Sequence, residues 1–494
     1  MANNLTLKKH AVIIGTGVGG LATAVRLAAL GLKVTVLEAN DYVGGKLTVK
    51  QLGNYRFDMG PSVFTLPHLI DELTEISGIN QALPYLTLDR GFNLYFEDGT
   101  SIISYTDKQK FINELVTKLG ETPNSVEEQL KYVAKLYELT AELFMEQAIH
   151  KLSNFLNLKT LKALAHLPTV KLNKTMNDVN AARFKNKKTV QLFNRYAIYN
   201  GSNPFKAPAL INIIAHLENN LGAFLPINGM HDITKHLQSL STQLGAEYKM
   251  NSRVTKIIVE NDIAVGVVTE KETIMADFIV SNSDIKHVYT KLLDKKYYKE
   301  KILEQEKSLS ALIFYWGIKK EFSDLSLHNM LFANDSEAEF KCMFDDKKTY
   351  YDPTIYINIT AKHCKNDAPK GCENWFVMVN VPHNSSEQPV EYIAEVRQRI
   401  VSKINRMLHT SIEDYIEEED MLDAYGIQQR TSSVGGSLYG NSSNNKFVAF
   451  LRHANENSEI KNLYFTGGSV HPGGGIPLSV LSGKIVSEMI SEKL

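Results

Sequence analysis

HAVIIGTGVGGLATAVRLAALGLKVTVLEAN, residues 10–40, decides the fold of this 494-residue chain. Its first five residues are a short apolar run, the pattern of a strand buried on both faces. Gly15-Thr16-Gly17-Val18-Gly19-Gly20 follows at once and satisfies G-x-G-x-x-G. Leu21, Ala22, Val25, Ala28 and Ala29 then recur at helical spacing, and Gly31 stands where a helix C-terminus is capped. A second apolar run, residues 33–37, ends at Glu38. Strand, glycine loop, helix, strand and terminal acid in this order predict a dinucleotide site. Gly15 permits the tight turn, Gly17 lets a pyrophosphate approach the backbone, and Gly20 lets helix and strand pack closely. The helix N-terminus offers unpaired N–H groups and a partial positive charge to phosphate. Glu38 suits ribose hydroxyls, and its charge disfavours a 2′-phosphate and hence NADP. The fingerprint by itself leaves NAD and FAD open.

Composition bounds the remainder. Hydrophobic residues are 44% and charged residues 22%, ordinary for a packed protein, so disorder and low-complexity fibres are excluded. With 54 Lys and Arg against 55 Asp and Glu, the net charge is −1, and no basic excess points to nucleic acid. No run of about 18 apolar residues occurs, and the N-terminus lacks the pattern of a signal peptide, so a cytoplasmic protein is expected. Cys342, Cys364 and Cys372 are too few and wrongly spaced for a disulfide framework or a zinc knuckle, so no metal is expected.

Two further glycine elements extend the reading. Glu38-Ala39 leads to Gly44-Gly45-Lys46, and then Phe57-Asp58-Met59-Gly60-Pro61-Ser62 follows. Paired glycines straight after the second strand let the backbone lie against a long cofactor. Near the C-terminus, LYFTGGSVHPGGGIP at residues 463–477 carries a strand-like run into Gly467-Gly468, then a Gly/Pro-rich loop opening an apolar helix. That is a second backbone cradle, with Gly475, Ile476 and Pro477 at its helix start.

On these residues the chain resembles the flavoprotein superfamily of amine oxidases, protoporphyrinogen oxidase, GDP-dissociation inhibitors and carotenoid desaturases. Its shared element is E-x-x-x-x-x-G-G-[RK], here Glu38, Gly44, Gly45 and Lys46. The H-P-G-x-G-x-P wording at residues 471–477 is similar to bacterial phytoene-desaturase-type carotenoid desaturases. So are YAIYNGSNPFKAPALINIIAHLE at residues 196–218 and the block at residues 225–245. The resemblance implies an α/β fold: a Rossmann-like FAD-binding domain of the amine-oxidase/GDP-dissociation-inhibitor type, a discontinuous sheet domain for substrate, and a helical lobe. It implies FAD as cofactor, with Val254 placing its backbone near the adenine. Departures stand at Asn228, where relatives carry Gly, and at His453, where they often carry Pro after Arg452. Asn228, Arg452 and His453 are therefore the candidate substrate residues.

Residues 1–75, 250–285 and 455–494 are expected to form the FAD-binding domain. Residues 85–105 and 305–450 alternate strand and helix signals and read as the substrate-binding sheet domain. Residues 106–245 read as mostly helical. Within that lobe, residues 152–173 are basic and amphipathic, and read equally as a surface helix and as a membrane-interface helix.

No nucleophile–base constellation and no H-E-x-x-H is present. This accords with a desaturase, where the flavin carries the hard step and the protein supplies an apolar tunnel and excludes water. His471 reads first as a loop residue capping the next helix, with a flavin-edge contact as the alternative. Asp58 reads as bonding local backbone, and no catalytic base is assigned. The resemblance implies an FAD-dependent carotenoid desaturase peripherally associated with the inner membrane, with dioxygen or a quinone as electron acceptor. The polar Asn228 and His453 lean toward C-3,4 desaturation of a 1-hydroxylated acyclic carotenoid end. Phytoene desaturation, flavin-dependent cis–trans isomerisation and non-enzymatic prenyl binding are the alternatives.

Overall fold

A computed structural model describes residues 8–145, 147, 170–171, 173–445 and 452–494. Of the basic amphipathic stretch at 152–173, only residues 170, 171 and 173 lie within them.

The opening motif folds as a strand, His10–Ile14, a helix, Val18–Ala29, and a second strand, Lys33–Leu37. These strands pair in parallel at the centre of a five-stranded sheet. Phe278–Ser281 and Leu463–Phe465 extend it on one side and Glu247–Lys249 on the other, all parallel. Three distant segments thus build one sheet, because a parallel strand cannot be reached by a hairpin and must return through a crossover. Apolar side chains cover both faces: Val12, Ile14 and Leu463 on one, Ala11, Ile13 and Val36 on the other. The terminal helix Ile476–Ser491 packs against Val18–Ala29.

A seven-stranded, largely antiparallel sheet forms a second layer. Its order is Ile416–Leu422, Ser310–Ile318, Glu373–Val381, Ile355–Ile359, His328–Leu331, Arg90–Tyr95 and Ser101–Tyr105. Ser310–Ile318 (SALIFYWGI) is buried throughout, which explains its lack of polar alternation. Leu312, Phe314 and Trp316 point to the side closed by Val396 and Ile400 of the helix Val390–Leu408. Trp316 faces Trp375 across the strands, and each indole N–H finds a carboxylate, Glu419 at 2.8 Å and Glu373 at 2.7 Å. Burying such side chains contributes roughly 1.5–3 kcal/mol each. The opposite side, with Ile313, Met330, Tyr356 and Phe376, turns toward the helices of residues 108–219.

The helix Asp232–Gln243 packs on Val18–Ala29, although its sequence reads as part of the helical lobe. Its inner residues Ile233, Leu237 and Leu240 share a core with Leu21 and Val25.

Candidate functional site

A cavity of about 530 Å³ runs from the glycine loops of the parallel sheet to the inner face of the seven-stranded sheet. Its nucleotide end is built where Val18–Ala29 starts. Gly17 caps that helix without a side-chain hydrogen bond, and no acid stands in its first turn. Its leading N–H groups are therefore free to meet an anion. The helix Ile476–Ser491 starts on the same cavity, with Gly475 as its N-cap and again no side-chain partner.

The two glycine elements touch. A Cβ on Gly19 would lie 2.8 Å from the Gly467 backbone nitrogen, and one on Gly17 would lie 2.4 Å from Asn282 Nδ2. A Cβ on Gly20 would meet Gly15 O at 2.3 Å, so Gly20 serves helix–strand packing and does not line the cavity. Gly15, Gly17, Gly19, Glu38, Ala39, Gly44, Gly45 and Lys46 line it, as do Gly60, Pro61, Ser62 and Val254. So do Gly467, Gly468, Gly475, Ile476 and Pro477.

Glu38 is almost fully buried and heavily engaged. Its Oε2 accepts from Thr16 N at 2.9 Å and Thr16 Oγ1 at 2.5 Å, and its Oε1 accepts from Asn40 N and Nδ2, both at 2.9 Å. A ribose hydroxyl would reach it where the Thr16 hydroxyl or the Asn40 side-chain amide turns aside. The Lys46 ammonium donates to Ser437 O at 2.9 Å and Leu438 O at 3.0 Å, and burial pulls its pKa down to about 8.

Arg452 is buried in the cavity wall and is not a surface residue. Its Nη1 donates to Tyr439 O at 3.0 Å and Gly468 O at 3.3 Å. Its Nη2 donates to Asn200 Oδ1 and Asn441 O, both at 3.1 Å. Burial lowers its pKa to about 10.

The other two candidate substrate residues need correcting, because neither lines the cavity. Asn228 is exposed and donates to Asp232 Oδ2 at 2.7 Å. His453 is held behind the cradle: its Nδ1 lies 2.7 Å from Ala454 O and its Nε2 3.0 Å from Tyr289 Oη, with Phe465 edge-on. It pairs with Val470 in an isolated parallel bridge. Asp58 bonds across the chain as well as locally, accepting from Arg56 Nη2 at 2.9 Å and from Met230 N at 2.8 Å. His471 lines the cavity, and its Nε2 lies 2.8 Å from Gln147 O, so it does not cap the following helix.

Several lining residues carried no sequence assignment. Asn282, which directly follows the strand Phe278–Ser281, fills the gap between the glycine loops. Its signal was the A-D-x-x-V-x-N-x-D run at residues 276–284, which resembles a flavin-contacting segment of the superfamily although Asn282 itself was not assigned. Beyond the cradle the wall turns apolar: Phe92, Leu210, Ile214, Met330 and Phe376. Two polar groups beside that wall are engaged internally. Glu218 accepts from Tyr196 at 3.0 Å and Tyr199 at 3.1 Å and pairs with Arg195. Ser62 Oγ lies 2.7 Å from Tyr356 Oη, which lies 2.7 Å from His328 Nδ1. Among the described residues no cluster of His, Cys, Asp and Glu is arranged to hold a metal. Glycines whose Cβ would fill the cradle, two open helix starts and a buried acid fit a dinucleotide cofactor.

Comparison with known proteins agrees with this geometry. Residues 18–491 match the model of the flavin containing amine oxidoreductases. The chain is 46% identical to a 1-hydroxycarotenoid 3,4-desaturase from a Flavobacterium species, covering 98% of this chain and 99% of that one. It is 30% identical to a 4,4'-diapolycopene oxygenase from Methylomonas, covering 98% of each. The fold is similar to putrescine oxidase (TM-score 0.63, 12% identity, 98% of this chain and 99% of that one). It is also similar to a Plasmodium falciparum Rab GDI (TM-score 0.51, 14% identity, 84% and 89%).

Proposed function

Because the chain belongs to the family of flavin-containing amine oxidoreductases, we propose that it is an FAD-dependent carotenoid desaturase acting at C-3,4 of a 1-hydroxylated acyclic end. One observation carries the reading: a single cavity joins the dinucleotide cradle to an apolar wall. A polyene seated there lies beside the cofactor and away from water. The substrate assignment is supported by the 1-hydroxycarotenoid relative, since Asn228 and His453, which suggested a hydroxyl, stand off the cavity.

Gly15, Gly17 and Gly19 with the start of Val18–Ala29 would hold the diphosphate, and Glu38 with Val254 the adenosine. Gly44, Gly45, Lys46, Gly60, Gly467, Gly468 and the start of Ile476–Ser491 would hold the remainder of FAD. When bound, FAD supplies the two-electron acceptor that a C–C desaturation needs. The chain's own part is to position the polyene and exclude water, which the apolar wall does without a dedicated base.

In this reading the substrate arrives from a membrane surface, an inference supported by its lipid character and by the basic stretch at 152–173. Among the described residues, no helix is long and apolar enough to cross a membrane. The electron acceptor we infer is dioxygen or a quinone, supported by the single dinucleotide fingerprint in the chain.

The test is anaerobic mixing of purified protein with a 1-hydroxylated acyclic carotenoid. Loss of two hydrogens by mass, with bleaching of the flavin bands, is the expected result. An isomer of unchanged mass would replace desaturation by isomerisation. Conversion of phytoene alone would move the activity to the hydrocarbon branch.

A further inference from the structure

We propose that the Ser443 and Tyr439 hydroxyls anchor the terminal hydroxyl of the substrate, an assignment resting on the reading of a 1-hydroxylated end. Both residues line the cavity. Ser443 Oγ accepts from Asn200 Nδ2 at 2.8 Å. The Asn200 amide is oriented by its other end, where Oδ1 accepts from Arg452. The hydroxyl proton of Ser443 therefore has no acceptor among the described residues. The Tyr439 hydroxyl makes no hydrogen bond among them either. Each hydroxyl can still donate one hydrogen bond, and a ligand oxygen in the cavity would accept it.

Position supports the same conclusion. C-1, which bears the hydroxyl, is only two or three bonds from the C-3,4 bond. Its anchor must therefore lie close to the cofactor cradle. A single nitrogen, Arg452 Nη1, bridges Gly468 O of the cradle and Tyr439 O of the anchor. A Cβ on Gly474 would lie 2.9 Å from Tyr439 Cβ. The segment is also held rigid by buried cations. Lys46 binds the carbonyls of Ser437 and Leu438, Arg452 those of Tyr439 and Asn441, and Lys307 Nζ the Asn441 side chain at 3.0 Å. Such preorganisation lowers the cost of ordering a polar site on binding.

The experiment compares a 1-hydroxylated acyclic carotenoid with the same skeleton lacking the hydroxyl. Preference is read as the ratio of kcat/KM and, separately, as the ratio of Kd from the shift of the polyene spectrum. Wild type is expected to favour the hydroxylated compound. S443A and Y439F should each reduce that preference about 2- to 10-fold, chiefly through KM and Kd, the range of one net hydrogen bond. S443T should retain it. Flavin absorbance and melting temperature identify variants that fold. Unchanged preference in a folded, flavin-loaded S443A/Y439F double variant would overturn the anchor alone. Absence of any wild-type preference would overturn the anchor together with the substrate reading.

Discussion

Gly19 and Gly467 stand back to back: a side chain on Gly19 would begin 2.8 Å from the Gly467 nitrogen and 2.9 Å from its Cα. The first dinucleotide loop and the C-terminal cradle thus close on each other with no room for a methyl group. Gly467 is further bound to the left-handed region by its φ of +97°. G19A should push the two loops apart at a cost of roughly 1–3 kcal/mol. The variant is expected to purify with little flavin, read as the ratio of visible to 280 nm absorbance. Full occupancy would show that this contact does not shape the cradle.

Glu38 holds four donors on its two oxygens. Glutamine at this position keeps one acceptor and turns its amide group against two donors. E38Q is expected to lower stability by roughly 1–3 kcal/mol, since an amide facing Thr16 leaves the Thr16 N–H unpaired while its hydroxyl can turn to accept. Paired urea melts measure the loss, and a difference below 1 kcal/mol would contradict the assigned bonding.

His328 is fully buried, and desolvation drives its pKa down to about 3, so the folded protein holds it neutral. Its unfolded pKa is about 6.5, so below that pH the unfolded chain binds a proton that the folded chain refuses. Stability therefore falls as pH drops from about 6.5 toward 3. At pH 5 the loss is about 2 kcal/mol from this group. H328N, whose side-chain oxygen still accepts from Tyr356, should lose that much less between pH 7 and pH 5 than wild type does. Equal acid limbs in the two proteins would place the acid sensitivity elsewhere.

Arg452 ties four oxygens from three separate segments. A lysine presents a point charge with three donors and cannot bridge them as the planar fork does. R452K should loosen residues 437–444, seen as faster amide exchange there while exchange in His10–Ile14 stays slow. Unchanged exchange in that segment would mean that Lys46 and Lys307 suffice to hold it.

Asn228 is exposed and bonded to Asp232, away from the cavity. N228A should leave kcat/KM for any carotenoid within about twofold of wild type, the scale of a surface change. A larger effect would place Asn228 on the path of substrate entry.

What the sequence determined by itself is the dinucleotide unit. Strand, glycine loop and helix lie within about 30 contiguous residues, so their chemistry is local and their spacing reports it directly. The second cradle was legible for the same reason, being one continuous run before Ile476–Ser491. Tertiary structure alone decided which side chains reach the substrate end of the cavity. Arg452 and His453 are neighbours in sequence, yet one enters the wall and the other packs behind it against Tyr289, as their partners on distant segments dictate. Asn200, Tyr439 and Ser443 meet only through the packing of the helical segment on the sheet layer. No local pattern encodes that meeting, since hydrophobic periodicity specifies which face is buried and not what lies across from it.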